Sequence, residues 1–458
     1  MRDPFFLFLF LSMLVAYVVT SILFGPAINW NNDNGGNEVE DKAAGWLLVS
    51  LVMVGAAVTL SLLSLGFMIS YAEVLIQATL IGSIVTTALA SALFFVEGLM
   101  GAGLIWMFFA LISACYAYFV WNRIPFAAAT LKTGLAAVKS NLGIMNVAIA
   151  SLGVAVLWTF WWVTNYIGVS THLANNGGDD GDVASMDGGI TFILLVCFYW
   201  AHQVISSVVH VTTAGTVGTW WFEPQHANGC CSEAVQGSAR RAVTTSLGSI
   251  CFGSLLVALI QALRAMVHQA RQADDGIVVC IADCLLGIIE AIAEYFNRWA
   301  FIYVGLYGYS FMEAGSNVMT LFKSRGWTVI ITDDLVSNVL TFMALAVGAV
   351  TGAIGLIAYK INPNWFEDQD DNTNLMWAVF VLGIIIGAGF SSIMLSVVQS
   401  AVDSTIVCFA EAPLDLQKNH LAHFEELNGT WSELYPRLWT EGDGGEEEKN
   451  RREEEARV

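Results

Sequence analysis

The feature that most constrains this chain is its succession of apolar runs, each long enough to cross a bilayer. About 20 apolar residues in an α-helix span the roughly 30 Å hydrocarbon core. Within lipid the backbone must satisfy its own hydrogen bonds, which leaves only α-helices or a closed β-barrel. The runs lack the period-2 alternation of barrel strands, so they read as helices. Composition agrees: 56% of the residues are hydrophobic and 13% charged, where a soluble protein carries about a quarter charged. Mean hydropathy is +0.63.

The runs are Phe5–Ile28, Trp46–Ile69, Val74–Val96, Leu99–Val120, Leu142–Ile167, Ile190–Trp221, Val243–Met266, Trp299–Phe322, Leu335–Tyr359 and Leu375–Val398. They predict an all-α, polytopic helix bundle of about ten spans. The first lacks the small-residue cleavage site of a signal peptide and reads as a span. An even number of spans puts both termini on one side, and the excess of Lys and Arg says which. Trp121–Asn141 carries Arg123, Lys132 and Lys139 without an acid; Arg240 and Arg241 precede the seventh run; Lys323 and Arg325 precede the ninth. The opposite connections, Asn29–Gly45, Thr171–Gly189 and Lys360–Asn374, each hold four acids and at most one lysine. Both termini are therefore expected in the cytoplasm. Val267–Arg298 is mixed in charge. Its Ile277, Ile281, Cys284, Leu285, Ile288 and Ile292 suggest an amphipathic helix in the membrane interface, or a broken, re-entrant seventh or eighth segment.

Residues 1–402 are expected to form the membrane domain, 403–440 a cytoplasmic segment and 441–458 a charged, solvated tail. The net charge of −20 lies mainly in loops and tail and implies no basic partner; no nucleic-acid partner is expected. The eight cysteines show no CxxC spacing, so neither a zinc site nor a disulfide framework is indicated. P-loop, HExxH, nucleophile-elbow and dinucleotide motifs are lacking. The chain reads as a non-enzyme with no cofactor or metal.

The stretch Glu290–Arg325 carries the strongest functional signal. Read as one helix, Tyr309, Ser310, Glu313, Asn317 and Thr320 fall on a polar stripe, and Tyr303, Tyr307 and Phe311 line a neighbouring face. Glu313 would then lie near mid-membrane, where a carboxylate costs at least about 2.5–3.5 kcal/mol and usually faces a protein interior or a water path. On the fifth run Trp158, Trp162 and Tyr166 repeat every four residues, as an interfacial belt or as the wall of a cation site. Trp220, Trp221 and Phe222 read as belt residues. On the sixth run His202, Ser206 and His210 form a polar face, suited to interhelical hydrogen bonds or to proton relay. Aromatic faces with a membrane carboxylate suit an organic cation, because a quaternary ammonium has no N–H to donate. The expected substrate residues are Tyr303, Tyr307, Glu313 and Trp162, with His202 and Glu313 as candidate proton carriers.

Four stretches resemble the choline transporter-like family of solute carriers. They are Asn122-Arg-Ile-Pro-Phe-Ala127; Leu247-Gly-Ser-Ile-Cys-Phe-Gly-Ser-Leu-Leu256 with Gln261-Ala-Leu-Arg264; Asn297-Arg-Trp-Ala-Phe-Ile302 with Tyr307-Gly-Tyr-Ser-Phe311; and Ala401-Val-Asp-Ser-Thr-Ile-Val-Cys-Phe-Ala-Glu-Ala-Pro413. They occur in order between Arg123 and Trp431. The resemblance implies a ten-helix plasma-membrane transporter with cytoplasmic termini and choline or a related amino alcohol as substrate. The short first outer loop, and a cysteine-rich run reduced to Cys280 and Cys284, point to fungal or protist members. Alternatives are transport of ethanolamine, a polyamine or a lipid headgroup, or a non-transporting scaffold or receptor.

Overall fold

The computed structural model describes residues 2–24, 36–176, 182–230, 232–273, 277–324, 335–361 and 373–434. Among these there is helix and no strand. The tail from Glu441, Asp274, Asp275 and Arg325 lie outside the described residues. Among the described residues, eight helical segments are long and apolar enough to cross a membrane. The expected second and third spans form one helix, α2 (Gly36–Val96), which leaves helical geometry at Tyr71 (φ −128°, ψ 26°). They therefore meet at a kink instead of a loop, and each limb exceeds the about 20 residues a crossing needs.

The chain divides into two compact units. One comprises residues 1–36 and 140–320 and holds α1 (Pro4–Phe24), α5 (Gly143–Asn176), α6 (Asp182–Phe222), the short α7 (Glu233–Val243), α8 (Leu247–Ala273), α9 (Ile277–Tyr307) and most of α10 (Phe311–Ser324). Side-chain pairings fix the helix directions. Tyr17 of α1 meets Trp158 and Trp161, and Ser21 meets Trp161 and Asn165 farther along α5, so α1 and α5 run parallel. Trp162 bonds Leu194 while Thr159 meets His202, so α5 and α6 are antiparallel. Asn297 donates to the Gly253 carbonyl and Glu290 pairs with Arg264, so α8 and α9 form an antiparallel hairpin.

That hairpin resolves the ambiguous stretch. Residues from Ile277 onward are not a separate interfacial element; they continue directly into the eighth run as α9. The helix is amphipathic as expected: Ile281, Leu285, Ile288 and Ile292 are exposed. Its polar face turns to α8, where Arg264 bonds Asp283 at 3.1 Å and Glu290 at 2.7 Å, and Gln261 bonds Glu294 at 3.3 Å.

The second unit, residues 37–139 and 321–458, contains nearly all of α2 together with α3 (Met100–Val120), α4 (Ile124–Ser140), α11 (Leu335–Ile361), α12 (Thr373–Glu411), α13 (Pro413–Asn419) and α14 (Leu421–Leu434). Glycines bring α11 and α12 together antiparallel. A Cβ at Gly383 would stand 2.6 Å from the Gly352 Cα, and one at Gly352 would stand 2.8 Å from the Phe380 carbonyl oxygen. Such close approach replaces the hydrophobic effect that lipid cannot supply between helices. Val49, Met53, Tyr359 and Val379 close a buried cluster beside this contact. The expected boundary after Val402 falls inside α12, which continues to Glu411. Helix α4 is largely buried, with Lys132 bonded to Glu426 at 2.7 Å and Phe126 packed on the buried Trp431.

Candidate functional site

The expected eighth span is not one helix. Helix α9 closes with the bond from Gly308 N–H to the Val304 carbonyl (3.0 Å), and α10 opens with that from Ala314 N–H to the Ser310 carbonyl (2.8 Å). Gly308 between them has φ +68°, a left-handed conformation that glycine adopts without steric cost. Ser310 is thus the N-cap of α10, and its hydroxyl donates to Glu313 Oε2 at 3.3 Å. Ser310-Phe311-Met312-Glu313 has the spacing of a capping box.

This break corrects the placement of Glu313. It is not near mid-span; it lies in the first turn of α10 and is exposed. Glycine turns the chain before the stripe can form. Asn317 and Thr320 still share the exposed face of α10 with it. Phe311 also leaves the tyrosine face: it is fully buried against Phe252, Phe296 and Phe301, with centroids 5.2, 5.8 and 5.5 Å away.

Tyr303 and Tyr307 remain together, one turn apart on α9 with centroids 5.3 Å apart. Tyr309 joins them from the break, 6.4 Å from Tyr303 and 5.6 Å from Tyr307. Tyr303 is buried, whereas Tyr307 is 40% exposed. A cavity of about 320 Å³ opens on this corner, lined by Tyr307, Gly308, Thr219, Glu223, Arg241 and Ser246 among others. Its volume suits a small molecule. Glycines let α6 and α9 meet closely beside it; a Cβ at Gly305 would stand 2.7 Å from the Val211 carbonyl oxygen. Sequence reasoning missed the cavity and put Tyr309 on the polar stripe. The available signal was Gly308 followed at once by the capping pattern.

Trp162 and His202 belong to a second cluster, between α5 and α6. The Trp162 ring lies 5.2 Å from Tyr166, stacked, and 4.8 Å from Phe198, and its indole N–H donates to the Leu194 carbonyl at 2.8 Å. Phe198 in turn lies 4.6 Å from the His202 ring. His202 Nε2 is 2.9 Å from the Thr159 hydroxyl, which itself donates to the Ala155 carbonyl. The imidazole N–H is therefore the donor between them. His210 Nε2 instead meets the Arg298 carbonyl at 2.9 Å. Ser206 departs from the expected interior face and is exposed; the buried hydroxyl is that of Ser207, which accepts from Ser254 at 3.2 Å. Trp220 and Trp221 depart too: they are 3% and 0% exposed, inside the bundle and not on a lipid belt. Among the described residues no group of His, Cys, Asp and Glu is arranged to hold a metal.

A polytopic helical bundle with an interrupted helix beside a small polar and aromatic cavity has the build of a membrane transporter. The chain belongs to the choline transporter family: the model described as plasma-membrane choline transporter matches residues 104–414. Protein PNS1 of Mycosarcoma maydis is 28% identical over 460 residues, covering 95% of this chain and 84% of that protein. Protein PNS1 of Eremothecium gossypii is 26% identical over 94% of this chain and 82% of its own. The Gibberella zeae Protein PNS1 is 28% identical over 94% and 81%. The protein is accordingly an integral membrane protein of a transporter family, and the family points away from an enzyme.

Proposed function

We propose that the protein carries choline or a closely related organic cation across the plasma membrane by alternating access without ATP. The observation that carries this reading is the interruption of α9–α10 at Gly308, where the rings of Tyr303, Tyr307 and Tyr309 cluster and Tyr307 lines a cavity of about 320 Å³. Each ring face offers a desolvated cation up to about 2 kcal/mol, and a trimethylammonium group asks for no hydrogen-bond acceptor. Tyr303 and Tyr307 are assigned as aromatic walls and Glu313 as the anionic partner. Trp162 is the corresponding ring on α5. His202 and Glu313 are the groups assigned to any exchanged proton.

The termini are assigned to the cytoplasm, with α13 and α14 on that side. The starts of α1 and α8 and the end of α9 lie at one end of the first unit, together with α7 and its Arg240 and Arg241. The basic residues support assigning that end to the cytoplasm, and on that assignment the cavity is an inward-facing vestibule. A monovalent cation crossing 100 mV gains about 2.3 kcal/mol, a roughly fifty-fold accumulation.

The test is uptake of labelled choline into proteoliposomes, with and without an inside-negative potential. Saturable uptake that rises with the potential is expected. Competition by ethanolamine, polyamines and headgroup alcohols ranks the cargo. Folded protein that moves no labelled choline under either condition would refute the choline reading.

A further inference from the structure

Residues Arg2 and Asp3 are threaded between the starts of α8 and α10. The Arg2 amide donates to the Thr245 carbonyl at 3.2 Å. One carboxylate oxygen of Asp3, Oδ2, accepts from the Ser249 hydroxyl at 2.7 Å and from the Phe311 amide at 3.0 Å. Gly248 makes room for this strand; a Cβ there would collide with the carbonyl oxygens of both Arg2 and Asp3. Just beyond, the Phe6 ring stacks on Phe252 at 4.0 Å, and Phe252 lies 5.2 Å from Phe311. Phe311 is the first residue of α10, so its amide is one of the N–H groups that a helix leaves without an internal partner. An anionic acceptor there also opposes the positive end of the helix.

On one side, α10 hangs from α9 through Gly308 and two further residues. On the other, it is held by Asp3. We propose that Asp3 is a positioning residue, a latch that fixes α10 against α8 and so sets the tyrosine corner at the break. This rests on the transport reading above. A transport cycle that moves α10 about Gly308 must release both Asp3 hydrogen bonds, so the latch holds the cargo-binding pose and its loss favours the released one.

The test uses the full chain carrying Asp3→Ala, Asp3→Asn or Ser249→Ala. Hydrogen–deuterium exchange is followed over residues 309–314, and choline uptake is followed in proteoliposomes. In Asp3→Ala, exchange in that segment is expected to rise about fivefold, the population change that loss of an N-cap produces. KM is expected to rise by a similar factor with kcat unchanged or higher. Asp3→Asn keeps an acceptor oxygen and should fall between the two, and Ser249→Ala, which spares the Phe311 bond, should shift KM less. Unchanged exchange over 309–314 overturns the latch. So does faster exchange with the wild-type KM, because Asp3 would then be a cap and nothing more. Loss of active molecules alone, seen as a lower kcat with KM unmoved, has the same meaning. If the unaltered protein moves no choline, the transport reading falls and the latch as a device of transport falls with it, while the exchange measurement still shows whether Asp3 holds the start of α10.

Discussion

At Tyr307 the aromatic ring and the hydroxyl can be separated by mutation. Tyr307→Phe keeps the face that a quaternary ammonium would meet, and choline affinity should stay within about twofold of wild type. Tyr307→Ala removes the ring and should weaken affinity by up to about 30-fold, the equivalent of roughly 2 kcal/mol. Equal losses in both variants would place the interaction on the hydroxyl and remove the cation–π account. Glu313 should matter less. It is exposed, so solvent and salt screen its charge, and Glu313→Gln is expected to weaken uptake affinity by about two- to fivefold, shrinking as salt is raised. The same residue shows where hydropathy is blind. The apolar run continues through Gly308, glycine is common in membrane helices, and a helical projection then puts Glu313 at mid-span. The pair formed by Tyr303 and Tyr307 survived that error because both lie before the break.

The broken element depends on one backbone conformation. An alanine at position 308 would have to hold φ near +68°, which costs a residue with a Cβ about 1–2 kcal/mol. Gly308→Ala should therefore lower the unfolding temperature by a few degrees and slow uptake. Gly389→Ala is the matched control: nothing lies within 4 Å of its Cβ position, and it should be neutral or slightly stabilising. If the two variants melt and transport alike, the break does not rely on glycine. The long helices were legible from apolar run length, although α5, α6, α8 and α12 extend about seven to thirteen residues beyond the runs at one end, and α4 lies in what read as a connection. What run length cannot carry is rotation about the helix axis. Trp220 and Trp221 sit where a belt would be expected, yet are buried; the i, i+4 spacing of Trp162 and Tyr166 fixed their shared face correctly, because both lie on one helix.

At the scale of the whole molecule, each unit is assembled from separate stretches of chain. The second depends on glycine contact between α11 and α12. Gly383→Leu should drive these helices apart, since Gly352 and Met53 already lie within 3.1 Å of the Cβ position. A cost of about 1–3 kcal/mol is expected, read as a lower unfolding temperature; an unchanged melting curve would show that the contact yields easily. Composition announced a glycine-rich bundle but not which glycines meet. Gly383 and Gly387 meet α11, whereas a Cβ at Gly389, in the same run, would have nothing within 4 Å. The latch on α10 has a consequence for the order in which the protein is made. Asp3 is synthesised before its partner Phe311, which follows 308 positions later. At usual synthesis rates that interval is roughly 15–60 s. Throughout it the first helix must be inserted and held without the Phe311 bond, only Ser249 reaching its carboxylate earlier, while residues 37–139 of the other unit are laid down. The join between the two ends of the first unit is thus among the last events of its biogenesis.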